Sequence, residues 1–162
     1  MLTRSISSSL QLFKTVDFPA SYKTQTRYPH RAIVGVGGNV GDVQRRFNHL
    51  LIYLKRQKNI TVLHTSPVLK NPPFGYSEQE DFLNSVIEIS TNMGPRTLLE
   101  FLLRTEKRFR RRRSFPNAPR TLDLDLIFFD KVKMQTPRLT LPHPEWSKRE
   151  SVIIPLHALG RH

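Results

Sequence analysis

The segment Pro119-Arg120-Thr121-Leu122-Asp123-Leu124-Asp125-Leu126 holds the residues best equipped for chemistry. In a strand, side chains alternate between faces. Asp123 and Asp125 then share one face, and Leu122, Leu124 and Leu126 take the other. Two neighbouring carboxylates repel unless a cation or a proton joins them. Magnesium suits such a pair, being hard, oxygen-seeking and commonly held by one or two carboxylates plus substrate phosphates. Asp-x-Asp alone is equally the wet face of an amphipathic strand. Here Arg120 stands three residues before Asp123 and follows a basic run, Arg110 to Arg113. Metal on one side and guanidinium forks on the other is what a phosphate chain requires.

Three further groups are weaker alone. The run Arg110 to Arg113 is open to three uses: a solvated patch, a nucleic-acid contact, or an arm closing over a triphosphate. Asn71-Pro72-Pro73-Phe74-Gly75, followed by Asp81-Phe82-Leu83-Asn84, offers a stiff loop and flat apolar surface. Asn84 has the donor and acceptor that a heteroaromatic ring demands. Pro142-His143 and Arg149 suit phosphate contact or plain packing. Gly37-Gly38-Asn39 lacks the Gly-Lys-Ser/Thr of a phosphate-binding loop and reads as a tight turn.

These residues need elements to position them. Arg31 to Gly37 reads as a buried strand. Asp42 suits a helix N-cap, and Phe47, Leu50, Leu51 and Leu54 recur on one helical face ending near 55–58. Ile60 to Lys70 reads as a strand, with Pro67 marking an edge or bulge. Phe82 to Thr91 is another strand. Pro95 opens a helix through Leu98, Leu99, Leu102 and Leu103 to about Phe109. Leu122 to Phe129 is a strand, and Asp130-Lys131 a turn. Pro137 to Pro144 is extended, and Ser147 is placed as the cap of a last helix or turn. The order βαββαβ with C-terminal additions predicts an α+β, ferredoxin-like sandwich with a mixed or antiparallel sheet.

Composition narrows the class. The chain has 162 residues, suiting one domain at 31–162 behind an N-terminal extension at 1–30. Residues 1–20 loosely resemble a transit peptide but lack a clean amphipathic stripe, so a packed extension is expected. No cysteine is present, which excludes disulfides, thiolate nucleophiles and cysteine-bound zinc. No apolar run is long enough to span a bilayer. The net charge of +13 suits a polyanionic partner. The RNA-binding strand signature is missing, and Asp123 and Asp125 would repel a nucleic acid's phosphates unless a metal intervened. A cytoplasmic monomer is expected, with no membrane or nucleic-acid partner.

Taken in order, these blocks resemble the 6-hydroxymethyl-7,8-dihydropterin pyrophosphokinases. Gly37-Gly38-Asn39, Asn71 to Gly75 with Asp81 to Asn84, Pro119 to Asp125, and Arg138-Leu139-Thr140-Leu141-Pro142-His143 with Arg149 carry the resemblance. The resemblance implies a ferredoxin-like sandwich, ATP as co-substrate, two magnesium ions, and AMP and the pterin diphosphate as products. It implies Asp123 and Asp125 as metal ligands and, with Arg113 and Arg120, as the catalytic set. Glu106, Arg111, Arg113, Arg120, Leu126, Arg138, Thr140, His143 and Arg149 match its ATP positions. Asn71, Pro72, Pro73, Phe74, Phe82, Asn84 and Asp123 match its pterin positions. The chain departs from the family at Asn117-Ala118, where Trp-Gly is usual, at Leu103 for glutamine, and at Ser151 for a stacking aromatic. Trp146 and Phe115 are the aromatics open to supplying that second face.

Overall fold

β-branched residues alternating with glycine between His30 and Gly38 build a strand slim enough to sit mid-sheet. The computed structural model describes residues 3–5, 9–23, 28–73, 78–109 and 121–159. Their strands are β1 Thr3–Ser5, β2 Gln11–Phe13, β3 Ala20–Ser21, β4 His30–Gly38, β5 Ile60–Thr65, β6 Val68–Asn71, β7 Phe82–Thr91, β8 Asp123–Phe129, β9 Met134–Gln135 and β10 Thr140–Leu141. Their helices are α1 Val43–Lys55, α2 Pro95–Arg108 and α3 Glu150–Ala158. The main sheet runs β1-β2-β6-β7-β4-β8, with β5 beside β7 and β3 outside β5. Every described pairing is antiparallel. The fold is α+β, and β4 to β8 follow the ferredoxin-like βαββαβ plan.

Asp42 caps α1 by accepting from Arg45 N at 3.1 Å. Phe47, Leu50, Leu51 and Leu54 then face the sheet, as their spacing requires. Pro95 occupies the first turn of α2, where a missing N–H costs nothing. Both helices meet the sheet face that carries Ala32, Val34, Val36, Ile87, Ile89, Leu124, Leu126 and Phe129, forming one core. Phe13 and the fully buried Phe18 join that core, so part of the first thirty residues packs on the sheet.

Four details differ from the sequence reading. Gly37 and Gly38 are the end of β4, and the turn begins at Asn39. The expected strand Ile60 to Lys70 breaks at Ser66-Pro67, where the Ser66 hydroxyl takes the Val86 N–H at 2.9 Å. The last helix starts at Glu150 behind Arg149, so Ser147 lies in the preceding turn and is not its cap. A register shift between Ile33 and Val34 leaves Ile127 as an extra residue in β8. Strict alternation would put Phe129 on the face of Asp123 and Asp125. The bulge returns Phe129 to the core and leaves both carboxylates on the opposite face.

α3 lies against β6 and β7, near the buried Leu69 of the carboxylate-bearing face. No helix among the described residues is long and apolar enough to cross a membrane.

Candidate active site

The ladder brings the predicted residues together in rows. Leu69, Asn84, Gly37 and Asp123 lie side by side across β6, β7, β4 and β8. The next row is Val86, Gly35 and Asp125. Glycine forms the floor of both. A Cβ on Gly37 would lie 2.5 Å from Asn84 Oδ1, and one on Gly35 would meet Ile127 Cδ1 at 3.4 Å and the Asp125 Cβ at 3.8 Å. Nothing on β4 therefore rises between the asparagine and the carboxylates. Their strands lie two spacings apart, about 10 Å.

On the amide side, Asn84 Nδ2 donates to Asn71 Oδ1 at 2.6 Å. Asn71 stands opposite Phe82 on the same face, and Pro72 and Pro73 lead away from it. Asn39, 5% exposed, donates to Gln79 Oε1 at 2.8 Å and to Glu80 O at 2.9 Å. The turn after β4 thus holds the segment that returns the chain to Phe82.

On the acid side, β8 is the sheet's edge among the described residues, and edge strands leave alternate N–H groups unpaired. Glu106 of α2, 3% exposed, accepts the Leu124 N–H at 2.8 Å. This fixes the residue between Asp123 and Asp125. Leu126 is buried in the helix-side core, away from the carboxylate face.

His143, two residues beyond β10, is tied to β8. Its backbone N–H donates to the carbonyl of the bulged Ile127 at 2.9 Å. Glu145 N donates to Nδ1 at 3.1 Å, so Nε2 carries the proton of the neutral ring. Burial first, and the Arg149 charge second, hold His143 below its ordinary pKa, while Glu145 and Asp123 pull it up. His143, Arg149 and Asp123 therefore share one electrostatic neighbourhood. Arg149 is exposed; the nearby hairpin presents an exposed Arg138 and a half-buried Thr140, anchored by buried Leu139 and Leu141.

Phe74, Arg111, Arg113, Phe115 and Arg120 lie outside the described residues. Trp146 packs edge-on against Phe128, with ring centroids 4.9 Å apart. Phe128 stands opposite Ile33, four residues along β4 from Gly37, or about 13 Å. Trp146 is therefore held beside the Ile33–Phe128 rung of this face. Sequence reasoning missed Gly35, and it read Asn39 as part of a turn without the hydrogen bonds that hold Gln79 and Glu80. The signal for Gly35 was its i, i+2 spacing to Gly37, matching Asp123 and Asp125 on the neighbouring strand.

The carboxylate pair suits a hard divalent cation. Among the described residues no group of three or more His, Cys, Asp or Glu could hold a metal, so remaining ligands would come from phosphate oxygens and water. That is the usual mode for magnesium.

Relatives carry the same chemistry in their names. A Helicobacter pylori protein named 2-amino-4-hydroxy-6-hydroxymethyldihydropteridine pyrophosphokinase is 37% identical over 141 residues, covering 86% of each chain. Its namesake from Campylobacter jejuni is 40% identical over 139 residues, covering 86% of this chain and 88% of its own. The Bacillus subtilis protein of that name is 34% identical over 77% of this chain and 75% of its own. The family model for 7,8-dihydro-6-hydroxymethylpterin-pyrophosphokinase matches residues 33–161. The glycine-floored face, with asparagines on one side and paired aspartates on the other, belongs to a member of the 7,8-dihydro-6-hydroxymethylpterin-pyrophosphokinase family.

Proposed function

We propose that the face bounded by Asn71, Asn84, Asp123 and Asp125 performs the family's reaction. The chain is an ATP-dependent pyrophosphokinase of folate synthesis, transferring the diphosphate group of ATP to the hydroxymethyl group of 6-hydroxymethyl-7,8-dihydropterin. The pterin oxygen attacks the β-phosphorus, its O–P bond forms, the bond to the α-phosphate oxygen breaks, and AMP leaves. The hydroxyl proton passes to water.

The observation that carries the assignment is the shared floor. Asn84 and Asp123 flank Gly37 in one row, so a ring on the amide side points its substituent at the carboxylates. Asn84 and Asn71 read the ring edge, with Pro72, Pro73, Phe74 and Phe82 as its apolar surround. Asp123 and Asp125 would hold the two magnesium ions that the family's reaction calls for. When bound there, magnesium would supply Lewis-acid neutralisation of the phosphate charge. His143 donates from Nε2 to a phosphate oxygen, and Arg149, Arg113 and Arg120 add charge. Arg111, Arg138 and Thr140 contact the rest of the nucleotide. Glu106 and Leu126 act from the helix side, shaping β8 beneath it. Positioning and electrostatics supply most of the rate enhancement in such transfers. The enzyme works as a cytoplasmic monomer on small molecules.

The test is to mix the protein with ATP, magnesium and the pterin alcohol and identify the nucleotide product. Pterin-dependent AMP is expected. ADP would mean single-phosphoryl transfer and would overturn the assignment.

A further inference from the structure

Asp123 forms the last rung of the β4–β8 ladder, opposite Gly37. Leu124 turns its N–H outward to Glu106, so Asp123 directs its own toward β4, as antiparallel alternation requires. Beyond that rung Leu122 and Thr121 have no ladder partner among the described residues. Terminal rungs of a ladder open more readily than interior ones. Fraying here would displace one carboxylate of a pair whose use depends on spacing.

A side chain from α1 reaches this point. Arg46 Nη1 donates to Thr121 O at 2.8 Å and to Val40 O at 2.6 Å. One guanidinium nitrogen thus joins the turn after β4 to the residue two before Asp123. The turn is shaped for it. Gly41 has φ +72°, and a Cβ there would lie 3.2 Å from Arg46 Nη2. Partial burial lowers the Arg46 pKa and the Asp42 charge opposes this; the group stays cationic, so its hydrogen bonds are charge-assisted.

We propose that Arg46 is a positioning residue, a clamp on the end of β8 that fixes Asp123 relative to Asp125. It touches no reacting atom. The inference rests on the metal–nucleotide reading of the two aspartates for its consequence, but not for its structural part.

The test is Arg46→Met, studied by amide hydrogen exchange on protein free of substrate and metal, and then by kinetics. The Asp123 amide should exchange faster by about tenfold or more, as expected when a terminal rung loses its clamp. The Asp125 amide should not change. The KM for magnesium–ATP should rise, whereas the Asn71–Asn84 pair on β6 and β7 is untouched. Arg46→Lys keeps a charged donor and should restore part of the Asp123 protection; it also serves if Arg46→Met does not fold. Unchanged exchange at Asp123, or equal loosening along the whole of β8, would overturn the proposal. The exchange result stands whether or not the wild-type protein forms AMP, so failure of the clamp and failure of the proposed reaction are read separately.

Discussion

A methyl group on Gly37 would lie 2.5 Å from Oδ1 of Asn84, the amide that donates to Asn71. Real Cβ atoms do not approach that closely, so Gly37→Ala must push the Asn84 side chain out of its pair. The strand itself tolerates alanine, because no positive φ is involved at Gly37. The expected result is a folded protein whose pterin affinity falls by about tenfold or more, the loss typical when a buried polar group loses its partner. A fluorescence titration with the pterin checks it. Gly94→Ala, which would meet nothing within 4 Å, is the control and should bind normally.

Asp125 is held inside the ladder rather than at its end. Its removal therefore tests the carboxylate without fraying β8. Asp125→Ala is expected to lower turnover by about 10²-fold or more, the scale of losing one partner of transition-state charge. Pterin affinity should be nearly unchanged. Single-turnover kinetics with near-normal rates would remove Asp125 from the metal set.

Much of this arrangement was legible from local pattern. Asp-x-Asp with intervening leucines dictated which face each side chain takes. The spacing of Phe47, Leu50, Leu51 and Leu54 gave α1, and Phe82–Thr91 matches β7 residue for residue. What escaped depends on partners distant in sequence. Ile127, Phe128 and Phe129 are all apolar, so no alternation marks the bulge that restores Phe129 to the core. Arg46 follows Arg45 and looks like any helix-surface arginine until Thr121 arrives from seventy-five residues away. Gly37 and Gly38 have turn-like composition, but β7 and β8 on either side draw Gly37 into a ladder.

Glu106 matched an ATP position by resemblance, yet its carboxylate is 3% exposed and accepts the Leu124 N–H. Glu106→Ala would leave that edge donor without its acceptor. The expected cost is about 1–3 kcal/mol of stability, read by urea denaturation. Glu106→Gln keeps an acceptor oxygen and should lose less. If alanine left stability unchanged while nucleotide affinity collapsed, the strand-holding role would be wrong.

His143 sets the pH response. Its folded pKa lies below the ordinary 6.5, chiefly through burial and then through Arg149, against the pull of Glu145 and Asp123. The unfolded chain thus binds a proton more readily than the folded one. Where the unfolded state holds more protons, stability rises with pH. The contribution is complete above pH 6.5 and is lost as pH falls through the folded value. Asp130 adds a second, more acidic window. The Arg31 N–H and the His30 side chain hold its carboxyl below 3.8, so that contribution persists above 3.8 and disappears below it. Thermal midpoints of the metal-free protein should therefore decline in two steps on acidification. His143→Gln, which keeps an acceptor for the Glu145 N–H, should flatten the step just below pH 6.5 and leave the lower one intact. A wild-type profile flat from pH 7 down to 4 would show that His143 is not held neutral by this pocket.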